Sequence, residues 1–141
     1  MSSPATIFRQ FLIDSDLGTE DGEWPVFVSF MPDEADNAIC VYDDGGVPDG
    51  RIMASGEKIV HPTILVHVTG PDYDTAWDKA EAIALAMDAV RRTVVVISSE
   101  VAYTFHNVSR TGPPNSLGVQ GEGDRRRHVI AVSAAVTLTL N

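Results

Sequence analysis

From Arg127 to Leu140 the chain alternates without a break: Ile130, Val132, Ala134, Val136, Leu138 and Leu140 share one parity, and Ala131, Ser133, Ala135, Thr137 and Thr139 the other. Successive side chains of a β-strand point to opposite faces, so this run is a strand with one apolar face and one small, mildly polar face. At about fourteen residues it far exceeds the usual five or six, and part of it is expected to reach past the core of its own subunit. The stretch before it is its opposite. Residues 111–126 hold four glycines and two prolines and show no hydrophobic period. A structureless segment of that length is uncommon inside a compact domain and usually acts as a lid, a binding segment or something that orders against a partner. Nothing near it resembles catalytic machinery, so a partner is the expectation.

Two helices can be read. Ile7, Phe8, Phe11 and Leu12 form the apolar stripe of an amphipathic helix over residues 4–17, with Ser3 placed to cap it, Pro4 at its first position and Gly18 to stop it. Asp72 is a good N-cap for a second helix running to about Arg92. Tyr73, Trp77, Ala80, Ala84 and Met87 repeat on one side of it, Asp74, Asp78, Glu81 and Asp88 on the other. Its alanines keep it thin enough to lie close against a sheet, and Asp74 at the start with Arg91 and Arg92 at the end oppose the partial charges of the helix termini.

Strands are expected over residues 24–30, 38–42, 61–69, 93–97 and 101–106, with Ile64, Val66 and Val68 marking a central strand and Asp43-Asp44-Gly45-Gly46 as turn chemistry. Arg51-Ile52-Met53 and Lys58-Ile59-Val60 are short extended candidates around a Ser55-Gly56 turn. The whole is an α+β chain: one domain, residues 1–141, with a mostly antiparallel or mixed sheet, two helices on one face and a long flexible loop between the last two strands.

Composition removes several function classes. Acidic residues outnumber basic ones 20 to 10, for a formal charge of -10, which argues against nucleic acid and acidic membrane surfaces as partners, because both need clustered Lys and Arg. The single cysteine, Cys40, lies in an apolar stretch and reads as a buried, inert thiol. No secretory leader and no apolar run of about 18 residues is present, so a reducing cytosol is expected.

There is no phosphate-binding G-x-x-x-x-G-K-[ST], and the glycines of residues 118–123 do not follow the G-x-G-x-x-G order. His61, His67, His106 and His128 never pair with Cys or with each other at metal-ligand spacing. Ser98 and Ser99 before Glu100 read as a polar turn between strands. No catalytic, metal-binding or cofactor-binding residue is assigned. The cluster Arg125-Arg126-Arg127 stands out in so acidic a chain. Were copies to meet side by side it would face an acidic neighbour, and Arg to carboxylate bonds would fix the register.

Taken in order, Trp24-Pro25-Val26 through Met31-Pro32-Asp33, the run from Ala38 to Asp43, the strand over residues 61–70, the helix over residues 72–92 and the segment Gly112-Pro113-Pro114-Asn115-Ser116-Leu117-Gly118 resemble the minor capsid or tail terminator proteins of long-tailed bacteriophages. The resemblance covers nearly the whole chain and lies in the order and spacing of the motifs. It implies a sheet with helices on one side, and six copies in a ring that ends the tail tube and joins it to the head. It implies surfaces and no catalytic residues: the loop over residues 111–124, with Leu117, Gly118 and Val119, and the arginines Arg125, Arg126 and Arg127 would order in the ring or against the tube. Partners would be other copies, the tail tube protein and a head-completion or connector protein, with DNA passing through the lumen without specific binding and no membrane. Where members of that family often carry a basic residue after the central strand, this chain has Thr69.

Two other readings are compatible with the residues. One is a head-completion adaptor that binds the portal side and never touches the tube. The other is a small cytosolic enzyme or ligand-binding domain whose lid is the glycine-rich loop.

Overall fold

A computed structural model describes residues 3–20, 22–30, 37–51, 58–98, 101–121 and 126–140. Among them the elements run α1 (Pro4–Asp14), β1 (Val26–Val28), β2 (Ala38–Arg51), β3 (Lys58–Gly70), α2 (Tyr73–Asp88), β4 (Thr93–Ser98), β5 (Val101–Arg110), β6 (Asn115–Gln120) and β7 (Arg127–Leu140). The strands form one sheet in the order β1-β2-β3-β7-β5-β4, with β6 also paired to β7. Only the β1–β2 pair is parallel; every other pair is antiparallel. The fold is therefore α+β with a mixed, mostly antiparallel sheet.

Both helices lie on the face that carries Ile64, Val66 and Val68 of β3 and Ile130, Val132, Ala134, Val136 and Leu138 of β7, all buried. α2 rests on β3, β7 and β5 near the middle of the sheet, whereas α1 touches β1 and β2 at one end of the strand order and β4 at the other. In a flat sheet β1 and β4 would stand roughly 24 Å apart, five strand spacings, more than a helix about 10 Å wide can bridge. The sheet accordingly curls around α1. Three rings lock the helix in place: Phe8 and Phe11 of α1 meet Phe105 of β5 at centroid distances of 6.1 and 5.8 Å and each other at 5.2 Å.

Local chemistry sets the helix starts. Ser3 caps α1 by accepting from the Thr6 N–H, Pro4 occupies the first turn, and the Asp43 carboxylate on β2 accepts from the Ala5 N–H at 2.9 Å. A donor that the first turn leaves without an intrahelical partner is thus satisfied by the sheet. Asp72 caps α2 through the Thr75 N–H.

Several expectations need correction. Residues 111–126 are not structureless, because Asn115–Gln120 is a strand laid along β7. β7 does not reach past the core: it is flanked by β3 on one edge and by β5 and β6 on the other. The Asp43 to Gly46 segment does not end its strand but forms an irregularity within β2, with Gly45 at φ 81°. α2 stops at Asp88 with its cap at Ala89, so no basic residue sits in its last turn and Arg91 and Arg92 do not serve its C-terminus. Residues 52–57, which include Ile52, Met53 and the Ser55-Gly56 turn, lie outside the described residues, as do Met31, Pro32, Asp33, Ser99 and Glu100.

Gly18 shows how closely α1 and β1 are joined. A Cβ at this position would stand 2.2 Å from Cγ2 of the buried Val26, and a valine side chain has little rotamer freedom with which to move away. Gly18→Ala is expected to lower stability by about 1–3 kcal/mol, the cost of overpacking, read as a lower midpoint in chemical denaturation with an unchanged slope.

Candidate assembly surface

The strand nobody would pick from its own pattern is β6. Asn115 pairs with Ala131, Ser116 with Ile130, Gly118 with Val129, Val119 with His128 and Gln120 with Arg127. All six of its residues are exposed. Between the Ser116 and Gly118 pairs β6 carries one residue more than β7, and Gly118 takes φ 90°, a left-handed conformation open to glycine at no steric cost. The extra residue is Leu117, 46% exposed; Val119 is 50% exposed.

This places the sequence-predicted residues. Leu117, Gly118 and Val119 share β6, and Arg127 pairs with Gln120 at its end, next to the exposed Arg126. Arg125 lies outside the described residues. The five described residues are therefore neighbours on one antiparallel arm, β6 against the first half of β7.

The base of the arm is pinned by a residue that sequence reasoning missed. Arg110, the last residue of β5, donates from Nε to Asp88 Oδ1 at 2.9 Å and from Nη2 to Oδ2 at 2.6 Å. The two-pronged contact ties the end of α2 to the point where β5 gives way to β6. Arg110 also donates to the Gly112 carbonyl, and Thr111 donates its N–H at 3.0 Å and its hydroxyl at 3.3 Å to the Ser133 carbonyl. The Arg110 hydrogen bonds hold the Asp88 carboxyl below the ordinary carboxylate range. No local pattern announces a contact between side chains 22 positions apart.

The sheet face away from the helices is the second notable surface. β3 offers it Thr63, Leu65 and His67; β7 offers Ala131, Ser133, Ala135, Thr137 and Thr139; β4 offers Val94 and Val96, 54% and 55% exposed. Beside β6 it dips into a cavity of about 280 Å³ lined by Leu65, His67, Ala131, Ser133, Leu117 and the turn from Thr111 to Asn115. Three titratable groups here, Cys40, Tyr42 and His67, are shifted toward their neutral forms. Burial pushes the Cys40 thiol up, and Cys40 donates to the Phe30 carbonyl at 3.0 Å. Burial, then the hydrogen bond to Cys40, pushes Tyr42 up to about 12. Burial pushes His67 down, and its ring meets Tyr42 edge-on at 5.1 Å. His61 and His106 reach the Thr137 and Thr139 hydroxyls at 3.1 and 2.9 Å. Among the described residues no group of three or more His, Cys, Asp or Glu side chains is placed to hold a metal ion.

Comparison with known proteins adds three findings. The sequence profile of the bacteriophage tail terminator protein family matches residues 11–138. No curated protein matches the chain. One solved structure is 22% identical over 98% of this chain and 96% of that one, with a TM-score of 0.48.

The Asp88–Arg110 pair sets how firmly the arm is held. Arg110→Ala and Asp88→Asn are each expected to speed hydrogen exchange at the Thr111 amide while leaving the β3 amides unchanged. The sign with pH follows from the depressed Asp88 carboxyl: the contact contributes fully above the unfolded carboxylate value of about 3.9 and is lost as pH falls through the lower folded value. Protection of Thr111, corrected for the intrinsic rate, should therefore be flat from about pH 5 to 8 and fall below roughly pH 4.

Proposed function

Because the chain belongs to the bacteriophage tail terminator protein family, we propose that it forms a homo-oligomeric ring of six copies that closes the tail tube and supplies the surface for head joining. Family membership makes it a structural protein of the phage tail that works against other tail or head proteins. Its assembly takes place in the host cytoplasm, and its function is shape; no residue is assigned to catalysis.

The observation that carries the ring reading is the arm. A strand exposed at all six residues, with two large apolar side chains half in water and two arginines at its end, pairs among the described residues with β7 alone, and strand edges of this kind are covered in stable proteins. Leu117, Gly118 and Val119 would meet the neighbouring copy or the tube, with Arg125, Arg126 and Arg127 facing its carboxylates. A head-to-tail contact of this kind joins two different surfaces and closes into a ring when its rotation allows. Six copies would carry a formal charge of about -60, six times that of one chain, and an acidic lumen lets DNA pass without sticking.

Native mass measurement is expected to give six times the 15.2 kDa of one chain, alone or on isolated tail tubes, and electron microscopy should show the tubes capped. A chain that stays monomeric even with tubes present refutes the ring, and binding to portal complexes but not tubes would assign the head-completion role instead. Burying what remains exposed of Leu117 and Val119 is worth about 1 kcal/mol apiece. Leu117→Ser with Val119→Ser should thus weaken association about tenfold or more per interface, with unchanged thermal unfolding of the dilute subunit.

A further inference from the structure

The ring reading leaves open which surface receives the neighbour, and the inference below rests on that reading. We propose that the sheet face away from the helices is the seat on which β6 of the next copy of this chain lies.

The reason is charge. Every copy carries -10, so neighbours repel wherever their charged surfaces approach, and like-charge contacts are selected against at interfaces. Apart from the arginines at the end of the arm, which would face carboxylates at the rim, copies associate best where neither surface carries acidic charge. Charged residues make up 21% of the chain, and the outer side of α2 alone presents Asp74, Asp78, Glu81 and Asp88, all exposed. The sheet face is different. Its described positions from Tyr42 through Leu65 and His67, along β7 from Ala131 to Thr139, and out to Val94 and Val96 include no Asp, Glu, Lys or Arg, and Arg127 stands on the same parity of β7 only at the end beside Gln120. β6 is the matching piece, with six exposed residues, none of them charged.

One copy cannot satisfy both surfaces by itself, because its β6 is already fixed in register along β7 at the margin of the face. A strand of one copy on the sheet of the next is a heterologous contact, the type a ring requires. The cavity beside Leu65 and Ala131 gives an apolar side chain of the incoming strand a place to enter.

Substitutions on the face test this. Ala135 is exposed on the central strand and Val96 on β4. Ala135→Glu and Val96→Lys are expected to raise the concentration needed for assembly at least about tenfold, by sedimentation velocity. Leu85→Glu, on the exposed side of α2, should assemble as the unmodified chain does. As a second measurement that needs no buried charge, Ala135→Cys should react with a maleimide readily when dilute and about tenfold more slowly when assembled, while the fully buried Cys40 stays silent. Unaltered assembly of Ala135→Glu and Val96→Lys, or equal labelling of Ala135→Cys in both states, overturns the seat and leaves the ring standing. A chain monomeric at all concentrations and on tail tubes overturns the ring itself, and the seat with it.

Discussion

Hydrogen bonding on both edges of β7 is the constraint on which the rest of this molecule depends. β3 pairs with one edge from Gly70↔His128 to Ile59↔Thr139. The other edge is divided between β5, from Tyr103↔Leu140 to Arg110↔Ala134, and β6, from Asn115↔Ala131 to Gln120↔Arg127. β3 and β5 are not neighbours and meet only through β7. α2 lies across all three, so the surface it packs on exists only when β7 is in place. The strict alternation of β7 then sorts the molecule into two sides, an apolar one roofed by both helices and one of mostly small side chains that is exposed in part, most fully at Ala135.

Much of this was legible in the sequence, for physical reasons. The two helices announce themselves because their buried faces repeat at helical spacing and because Ser3 and Asp72 are residues whose side chains satisfy first-turn donors. β3 and β7 announce themselves because one face of each meets the helices and is apolar while the other is smaller, more polar and only partly covered, which is what makes an alternating pattern. β6 has neither face buried, so no pattern could mark it; its strand state is imposed by the part of β7 that β5 leaves free. The glycines that suggested a loop are used inside strands, Gly45 at an irregularity of β2 and Gly118 at the extra residue of β6. Leu117, Gly118, Val119, Arg126 and Arg127 are near one another in sequence and lie on the same arm of the fold. The Asp88–Arg110 pair and the seat face could not be read beforehand, since both depend on residues that only the folded sheet brings near one another.

The two surfaces argued to meet share a property unusual for this chain. Where the exterior of α2 is acidic, β6 and the described seat positions of the open face carry no Asp or Glu, and three ionisable groups that border the face, Cys40, Tyr42 and His67, are driven by burial toward neutral forms. Acidity elsewhere disfavours contact between like-charged surfaces, so on the proposed reading sister copies meet where that charge stops.

The position of β7 in the sequence has a further consequence. It follows all the other strands, yet it is the strand that joins them. Without it the hydrogen-bonded sheet falls into two pieces, β1-β2-β3 and the β4–β5 hairpin, spanned only by the helices, and β6 has no described strand to pair with. The open face and the β6 arm therefore come into being together, with the pairing of one strand.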